Sequence, residues 1–358
     1  MIQYRRKSGT RKFDNVTCED IVVVGIDVHK RSVHAAIRSN GQLVTTFVMP
    51  ADIDSIIKTL RPLKPGLKKI VYEAGPTGYS LARAFKKINW PIEVIAPGKT
   101  PKESNQGGKS DRLDCKKLAE FAEKDMLKAV VIPTEQEEAD RQVTRLLDHL
   151  KKKEKRVKQQ IKSFLLQHGI KEPKGLSNWS NYGIESLTEL ELNPELRFVL
   201  DVFLEELNFL RNQLKNTREK IKQISETDRF ADKTALLETH PGVGWKTSIK
   251  FLTEVYQPER FTQTTHIGCY VGLAPLVRQS GETRKEGPLI KAGQGPLRCI
   301  LIQAAWAWIR YDPHAAGVYR RLVSNTGCPQ KAITGIARRL AVNLWCMVTR
   351  NEEFRSAA

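Results

Sequence analysis

The sequence predicts an α/β domain, then two long helices, then a mostly helical C-terminal domain. Short β-branched apolar runs alternate with helix-spaced segments over the first third of the chain. From Glu135 to Gly169 the chain is almost free of Gly and Pro and rich in Lys, Glu, Gln and Arg, and from Ala235 onward it is Gly-rich again. We therefore expect a basic N-terminal arm at 1–20, an α/β domain at 21–134, a helical coiled-coil arm at 135–230 and a C-terminal domain at 231–358.

The elements of the α/β domain follow from local patterns. The turn Asn40-Gly41 between two apolar runs predicts a β-hairpin, and Pro and Gly clusters separate the later segments. The predicted strands are Ile21–Ile26, Ser32–Ile37, Leu43–Val48, Lys69–Tyr72 and Ile92–Ala96, and the predicted helices are Asp52–Leu60 and Tyr79–Ile88.

Two long amphipathic helices are predicted next. The first covers Glu135–Gly169, and the second has leucines and isoleucines at helical spacing from Leu200 to Ile224. Joined by a polar loop, they predict an antiparallel hairpin or coiled-coil arm that serves spacing or dimerisation. The alternative is that both pack on a core within one chain. The stretch Lys151–Lys153 is poor in core-forming residues and favours the arm.

The charge of the chain indicates a polyanionic partner. There are 59 Lys+Arg against 40 Asp+Glu, a formal charge of +19. Nucleic acid is the favoured polyanion, with an anionic membrane surface as the alternative. The longest apolar run, Ile300–Ile309, is interrupted by Gln303 and is too short to span a bilayer. The six cysteines are scattered without metal-ligand spacing, which predicts reduced thiols in a cytoplasmic protein.

Four acidic residues of the α/β domain form a candidate metal site. Asp27 and Glu73 each end a predicted buried strand, and Asp111 and Asp114 lie three residues apart at the start of a predicted helix. Four converging carboxylates require neutralising cations such as Mg²⁺, and two such ions can flank a phosphodiester. Singly, each acid is also explained as a turn, cap or first-turn residue.

The C-terminal domain contains two candidate phosphate-binding segments. Gly242 and Gly244 form a helix-hairpin-helix-like turn that can present backbone N–H groups, although any Gly-rich helix connection looks similar. Ser280 precedes a glycine in a cation-rich loop, which is compatible with a nucleophile and equally with an ordinary turn. The cations nominated for nucleic-acid binding are Lys246, Arg278, Arg284, Lys285, Lys291 and Arg298.

These residues resemble one known family, the DEDD transposases of bacterial insertion sequences, which are related to Piv-like DNA invertases and include the bridge-RNA-guided recombinases. The resemblance covers nearly the whole chain. It is carried by the four acids and by the segments Lys109–Asp114, Pro241–Gly244, Gly272–Pro275, Gln279–Gly281, Lys291–Gly293 and Leu297–Arg298.

The resemblance implies a RuvC-like domain of RNase H fold, in which Asp27, Glu73, Asp111 and Asp114 bind Mg²⁺, or Mn²⁺ in its place. It also implies that Ser280 forms a covalent serine-DNA intermediate. Homodimers or homotetramers are implied, with Ser280 of one protomer completing the acidic site of another. Some members use a non-coding guide RNA besides their DNA, and the hosts are bacterial or archaeal. Pro288, between Ser280 and Lys291, departs locally from the pattern.

Three other functions remain open on sequence grounds. The first is a hydrolytic Holliday-junction nuclease of the RuvC type, in which water attacks and Ser280 only makes a turn. An actin-like sugar kinase is the second, because Gly25-Ile26-Asp27 resembles the start of its phosphate loop. The third is a nucleic-acid-binding protein without catalytic activity.

Overall fold

The computed structural model describes residues 21–75, 77–97, 100, 111–281, 283–289 and 293–356, without the side chains of residues 111, 112, 278, 280 and 284–286. The predicted N-terminal arm, Lys109, Ser110 and Lys291 lie outside this part. The chain divides into two compact units, Met1–Pro133 and Thr134–Ala358. Within the described residues, none of the helices combines the length and apolar character needed to cross a bilayer.

The N-terminal unit is built on one mixed five-stranded sheet. Its strands are β1 Val22–Val28, β2 Ser32–Ser39, β3 Gln42–Pro50, β4 Leu67–Glu73 and β5 Ile92–Ile95, and its helices are α1 Ile53–Leu60, α2 Ser80–Lys87 and α3 Asp111–Glu123. The strand order is β3-β2-β1-β4-β5. Strands β1 to β3 are antiparallel, whereas β4 runs parallel to β1 and β5 parallel to β4. The predicted α/β domain is confirmed.

The β2–β3 turn is fastened to the end of α3. Asn40 and Gly41 both have positive φ, of 50° and 82°, as a two-residue type I′ hairpin requires. Glu123 accepts hydrogen bonds from Arg38 Nε at 2.6 Å and from the backbone N of Gly41 at 2.8 Å. These two bonds hold the C-terminal end of α3 beside the hairpin.

Helix α3 lies directly on the backbone of β1 because residue 25 is glycine. A Cβ atom there would lie 2.4 Å from both Ala119 N and Cys115 O. Leu118 and Ala122 of the same helix pack into a buried cluster with side chains of strands β1, β4 and β5. The absence of a side chain at Gly25 is therefore what permits the close approach.

The second unit is mostly helical. Its helices are α4 Glu135–Gln167, α5 Asn181–Thr188, α6 Pro194–Ser225, α7 Ala231–Glu238, α8 Trp245–Glu254, α9 Thr264–Tyr270, α10 Gly295–Tyr311, α11 Pro313–Thr326 and α12 Pro329–Arg350. A buried core joins α7 to α12, with Leu301 of α10 and Leu340 of α12 fully buried.

Helices α4 and α6 pack against each other in antiparallel orientation. Phe164, near the end of α4, contacts Phe203, near the start of α6, with ring centroids 6.4 Å apart. At the opposite end, Val143 of α4 belongs to one apolar cluster with Ile221 of α6 and Ile249 of α8. A role of this helix pair as a spacing or dimerisation arm stays a prediction.

The segment around Ser280 is not the loop expected from the sequence. It forms an antiparallel hairpin of β6 Pro275–Ser280 and β7 Thr283–Leu289. Ser280 pairs with Thr283 across the turn, and Gly281 has a positive φ of 56°. The expectation failed because the glycines and charged residues of this segment suggested a loop, whereas Gly281 makes a tight turn between paired strands.

We expect Gly25→Ala to destabilise the N-terminal unit by about 1–3 kcal/mol, because the added methyl group must displace the backbone of α3. Urea unfolding followed by circular dichroism measures this. Gly317→Ala is the matched control, because a Cβ at this glycine of α11 meets no atom within 4 Å. It should be neutral or stabilising by up to about 1 kcal/mol. Equal stability of the Gly25→Ala and wild-type proteins would contradict the close packing.

Candidate active site and nucleic-acid interface

Asp27 and Glu73 are brought together by the register of two neighbouring parallel strands. Ile26 of β1 pairs with Tyr72 of β4, so the next residue on each strand is one of the two acids. Residues in register on adjacent parallel strands point to the same face, and such strands lie about 4.8 Å apart. Both acids are partly exposed. The predicted convergence of this pair is thus supported by the sheet itself.

The first turn of α3 lies at the same edge of the sheet. Gly25 faces α3, and Asp27, two residues further along the strand, faces the same way. From Val23 to Asp27 the strand advances about 13 Å. From Ala122, which shares a cluster with Val23, back to Asp114 the helix advances about 12 Å. The helix therefore brings Asp114 back to the level of Asp27.

Cys115, the residue after Asp114, is close enough to Asp27 to feel its charge. Burial, followed by the negative charge of Asp27, raises the pKa of the Cys115 thiol to about 11. Asp114 is the neighbour of Cys115 and is partly exposed. Asp111 is the first residue of α3. Its side chain lies outside the described set, so its part in the cluster stays a prediction.

Two polar partners of the acids were not anticipated from the sequence. His29 Nε2 lies 3.1 Å from Asp27 Oδ2. Thr100 donates a hydrogen bond from its hydroxyl to Glu73 Oε1 at 2.6 Å. His29 lies two residues beyond Asp27, a strand spacing that could have identified it, but Thr100 is 27 residues from Glu73 and nothing local signals their contact. Each partner restricts the orientation of one carboxylate.

The described side chains do not form a closed metal site. Among them, no group of three or more His, Cys, Asp and Glu is arranged to hold a metal ion. Asp27 and Glu73 nevertheless present hard oxygen donors on one face, which is the ligand type that Mg²⁺ prefers.

Ser280, the predicted nucleophile, belongs to the second unit and ends β6 at the tip of the hairpin. The backbone register places Arg278 opposite Lys285 and Gln279 opposite Arg284. Three of the nominated cations thus belong to the same two paired strands as the serine.

The predicted turn of Gly242 and Gly244 connects α7 to α8. Gly242 has a φ of +81°, and a Cβ there would lie 2.5 Å from Trp308 N of α10. This glycine is therefore required for packing, and its phosphate-binding role stays a prediction. Gly244 is the N-cap of α8, Lys246 is exposed in the first turn of that helix, and Arg298 donates to Gly272 O at 3.2 Å.

A mixed sheet whose strand ends carry acids, in a strongly basic chain, fits an enzyme that acts on nucleic acid. Residues 24–170 match the family model of the DEDD transposases of the IS110 type. Residues 234–320 match the model of the transposase IS116/IS110/IS902 family. The two models together match more than half of the chain. The chain belongs to this transposase family, whose members cleave and rejoin DNA, and the family match favours an RNase H-like fold for the N-terminal unit.

Similar proteins carry the same description. The chain is 28% identical over 296 residues to the transposase for insertion sequence element IS1533 of Leptospira borgpetersenii, covering 80% of this chain and 84% of that protein. It is 22% identical over 347 residues to the transposase for insertion sequence element IS1111A of Coxiella burnetii, covering 95% and 93%. The sugar-kinase and non-catalytic interpretations are therefore wrong.

We expect Asp27→Asn to lower the pKa of Cys115 below about 11, because one of the two causes that raise it is the charge of Asp27. The test is the pH dependence of Cys115 alkylation by iodoacetamide, followed by peptide mass spectrometry. The Asp27→Asn protein should react at lower pH than wild type.

Asp125→Asn is the control for this measurement. It removes an equally charged residue of the same unit that pairs instead with Lys69 at 2.9 Å. Coincident alkylation profiles for the wild-type and Asp27→Asn proteins would place Asp27 away from α3 and contradict the geometry of the site.

Proposed function

We propose that this transposase cuts and rejoins DNA with a Mg²⁺-dependent acidic cluster of Asp27, Glu73, Asp111 and Asp114 and with Ser280 as the nucleophile. One observation carries the proposal, namely the shared edge where β1 and β4 end beneath the first turn of α3. Asp27 and Glu73 lie at the ends of the two strands, and Asp111 and Asp114 belong to the first turn of α3.

The acids fit a divalent cation on grounds of charge and chemistry. Neighbouring carboxylates at a partly buried edge repel each other unless a cation neutralises them. Asp27 and Glu73 would hold the ion together with the acids of α3, while His29 and Thr100 orient the two strand-end carboxylates. A bound Mg²⁺ would supply charge neutralisation at the scissile phosphate. Mn²⁺ has the same preference for oxygen ligands and would serve in its place.

Ser280 would act by nucleophilic substitution at phosphorus. Its hydroxyl oxygen loses a proton and bonds to the phosphorus, while the bond to one DNA oxygen breaks and that oxygen leaves protonated. The resulting phosphodiester joins protein to DNA. A strand hydroxyl then attacks the same phosphorus and releases the serine, so joining needs no external energy source. The cations opposite one another on β6 and β7 favour phosphate in this position.

A non-coding RNA encoded by the same element is proposed as a guide. The +19 charge of the chain supports a second polyanion in addition to DNA. The DNA that flanks the gene separates guided from unguided members. Element ends next to a non-coding stretch capable of structured RNA would support guidance, and element ends that directly abut the coding sequence would oppose it.

We expect Asp27→Asn and Ser280→Ala each to abolish transposition while leaving DNA binding largely intact, because both remove chemistry and little surface charge. Transposition is measured with the element and its own ends, and binding with the same DNA ends. Thr283→Ala is the matched control for Ser280→Ala, because it removes a hydroxyl from the residue paired with Ser280. It should remain active.

A covalent protein-DNA species separates the proposal from hydrolysis. Denaturing electrophoresis of the wild-type protein with labelled DNA should show it, and the Ser280→Ala protein should lack it. Retained recombination by the Ser280→Ala protein would eliminate the nucleophile assignment, and cleavage without any covalent species would favour the hydrolytic RuvC-type nuclease.

We further propose that Ser280 of one protomer completes the acidic site of another. An equimolar mixture of Asp27→Asn and Ser280→Ala proteins should then recover first-strand cleavage, because mixed oligomers contain sites with intact acids and an intact serine. Each variant alone is the control and should be inactive. A mixture as inactive as its components would show that each protomer uses its own serine.

A further inference from the structure

The second unit contains an open groove lined by cations from helices far apart in sequence. Its volume is about 710 Å³, and α4, α6, α8 and α10 contribute to its walls. An apolar floor includes Leu147, Ile221 and Ile249. The cations that line it are Lys151, Lys152, Arg218, Lys246, Lys250 and Arg298, and its acidic residue is Asp148.

Among the described residues that line this groove, cations outnumber acids. Lys250 is buried and pairs with Asp148 at 2.8 Å and with Glu254 at 3.2 Å. The acidic residue that lines the groove, Asp148, is therefore already paired with a cation. In the part of the chain that the structure describes, none of the other five cations pairs with a carboxylate. Cations concentrated in a concave surface repel one another and attract an anion.

Two helix N-termini add positive partial charge to that of the side chains in the groove. Helices α8 and α10 both begin at its rim, with Trp245 and Gly295 as their first residues. Neither helix has a side-chain cap or an acid in its first turn. By contrast, α4 begins with a capping box and three acids. The partial positive charge of both helix N-termini therefore adds to that of the side chains.

An aromatic ring stands beside these cations. Trp245 lines the groove, is partly exposed, and has Lys222 Nζ and Lys246 Nζ each 5.4 Å from its ring centroid. A positively charged groove with an aromatic stacking surface is typical of proteins that hold unpaired nucleic-acid strands. Cations contact the phosphates, and the ring stacks on a base without reading its identity.

We propose that this groove binds an unpaired nucleic-acid strand through its phosphates, with a base stacked on Trp245. The proposal rests on the nucleic-acid activity proposed above, but it assigns binding to residues outside the acidic cluster and the Ser280 hairpin. A displaced DNA strand and an unpaired RNA segment offer the same phosphates and bases and are the two sources.

The test is fluorescence anisotropy of the full-length protein with labelled oligo(dT), oligo(U) and a DNA duplex over a series of salt concentrations. Lys151→Gln/Lys152→Gln should weaken single-strand binding and lower the slope of log K against log salt by about 1.4, or about 0.7 for each lost phosphate contact. Trp245→Leu should weaken binding roughly 5- to 150-fold, and Trp245→Phe should largely restore it.

The matched control is Lys153→Gln/Lys155→Gln, which removes two exposed charges from the same helix outside the groove. Equal losses in the two double variants, or a larger loss for duplex than for single strands, would overturn the proposal. Tighter binding of oligo(dT) than of oligo(U) would identify displaced DNA as the source of the strand. Tighter binding of oligo(U) would identify RNA. Circular dichroism and melting verify that each variant is folded.

Failure of this inference is separable from failure of the proposed function. The anisotropy readout needs no catalysis, so the Asp27→Asn protein should bind single strands as wild type does. Groove variants that bind single strands as tightly as wild type would contradict the groove proposal alone, whatever the cleavage assays show.

Discussion

The approach of α3 to the backbone of β1 at Gly25 is the constraint on which the chemistry of the N-terminal unit depends. No side chain separates helix from strand there, and a Cβ would lie 2.4 Å from atoms of the helix backbone. The hydrogen bonds of Glu123 hold the other end of the helix at the β2–β3 turn. These two attachments fix the position of α3 on the sheet, and they place its first turn at the edge that carries Asp27 and Glu73.

A buried ionic network has a comparable role in the second unit. Arg145 of α4 makes two hydrogen bonds, of 2.9 and 2.7 Å, to the buried carboxylate of Glu254 on α8, and Lys250 joins the same carboxylate to Asp148. Burial acts to raise the pKa of Glu254, but the bonds and charges of Arg145 and Lys250 outweigh it and hold that pKa below its usual value. The network joins α4 to α8, two of the helices that form the walls of the groove.

The acidic site was more predictable than its surroundings. Asp27 and Glu73 each follow an apolar run, which predicts that each lies at the end of a buried strand. In any fold that places these two strands side by side and parallel, the two acids come to the same edge of the sheet. The hairpin of Ser280 was not recognised, because its strands are short and charged and only Gly281 marks the turn. The contact of Thr100 with Glu73 could not be predicted from the sequence, because the two residues are far apart in the chain. The groove could not be predicted either, because its cations come from four separate helices and share no sequence pattern. They include Lys151, Arg218, Lys246 and Arg298.

By itself, the sequence determined the order and type of the elements of the α/β domain, the two long helices, the basic charge and the identity of the acids, because periodicity and composition are local properties of the chain. The tertiary structure decided that β4 pairs with β1 in the register that aligns the two strand-end acids, and that α3 returns its first turn to them. It also decided which cations of the groove pair with an acid among the described residues. These are contacts between residues distant in the chain, and only packing and backbone pairing select them.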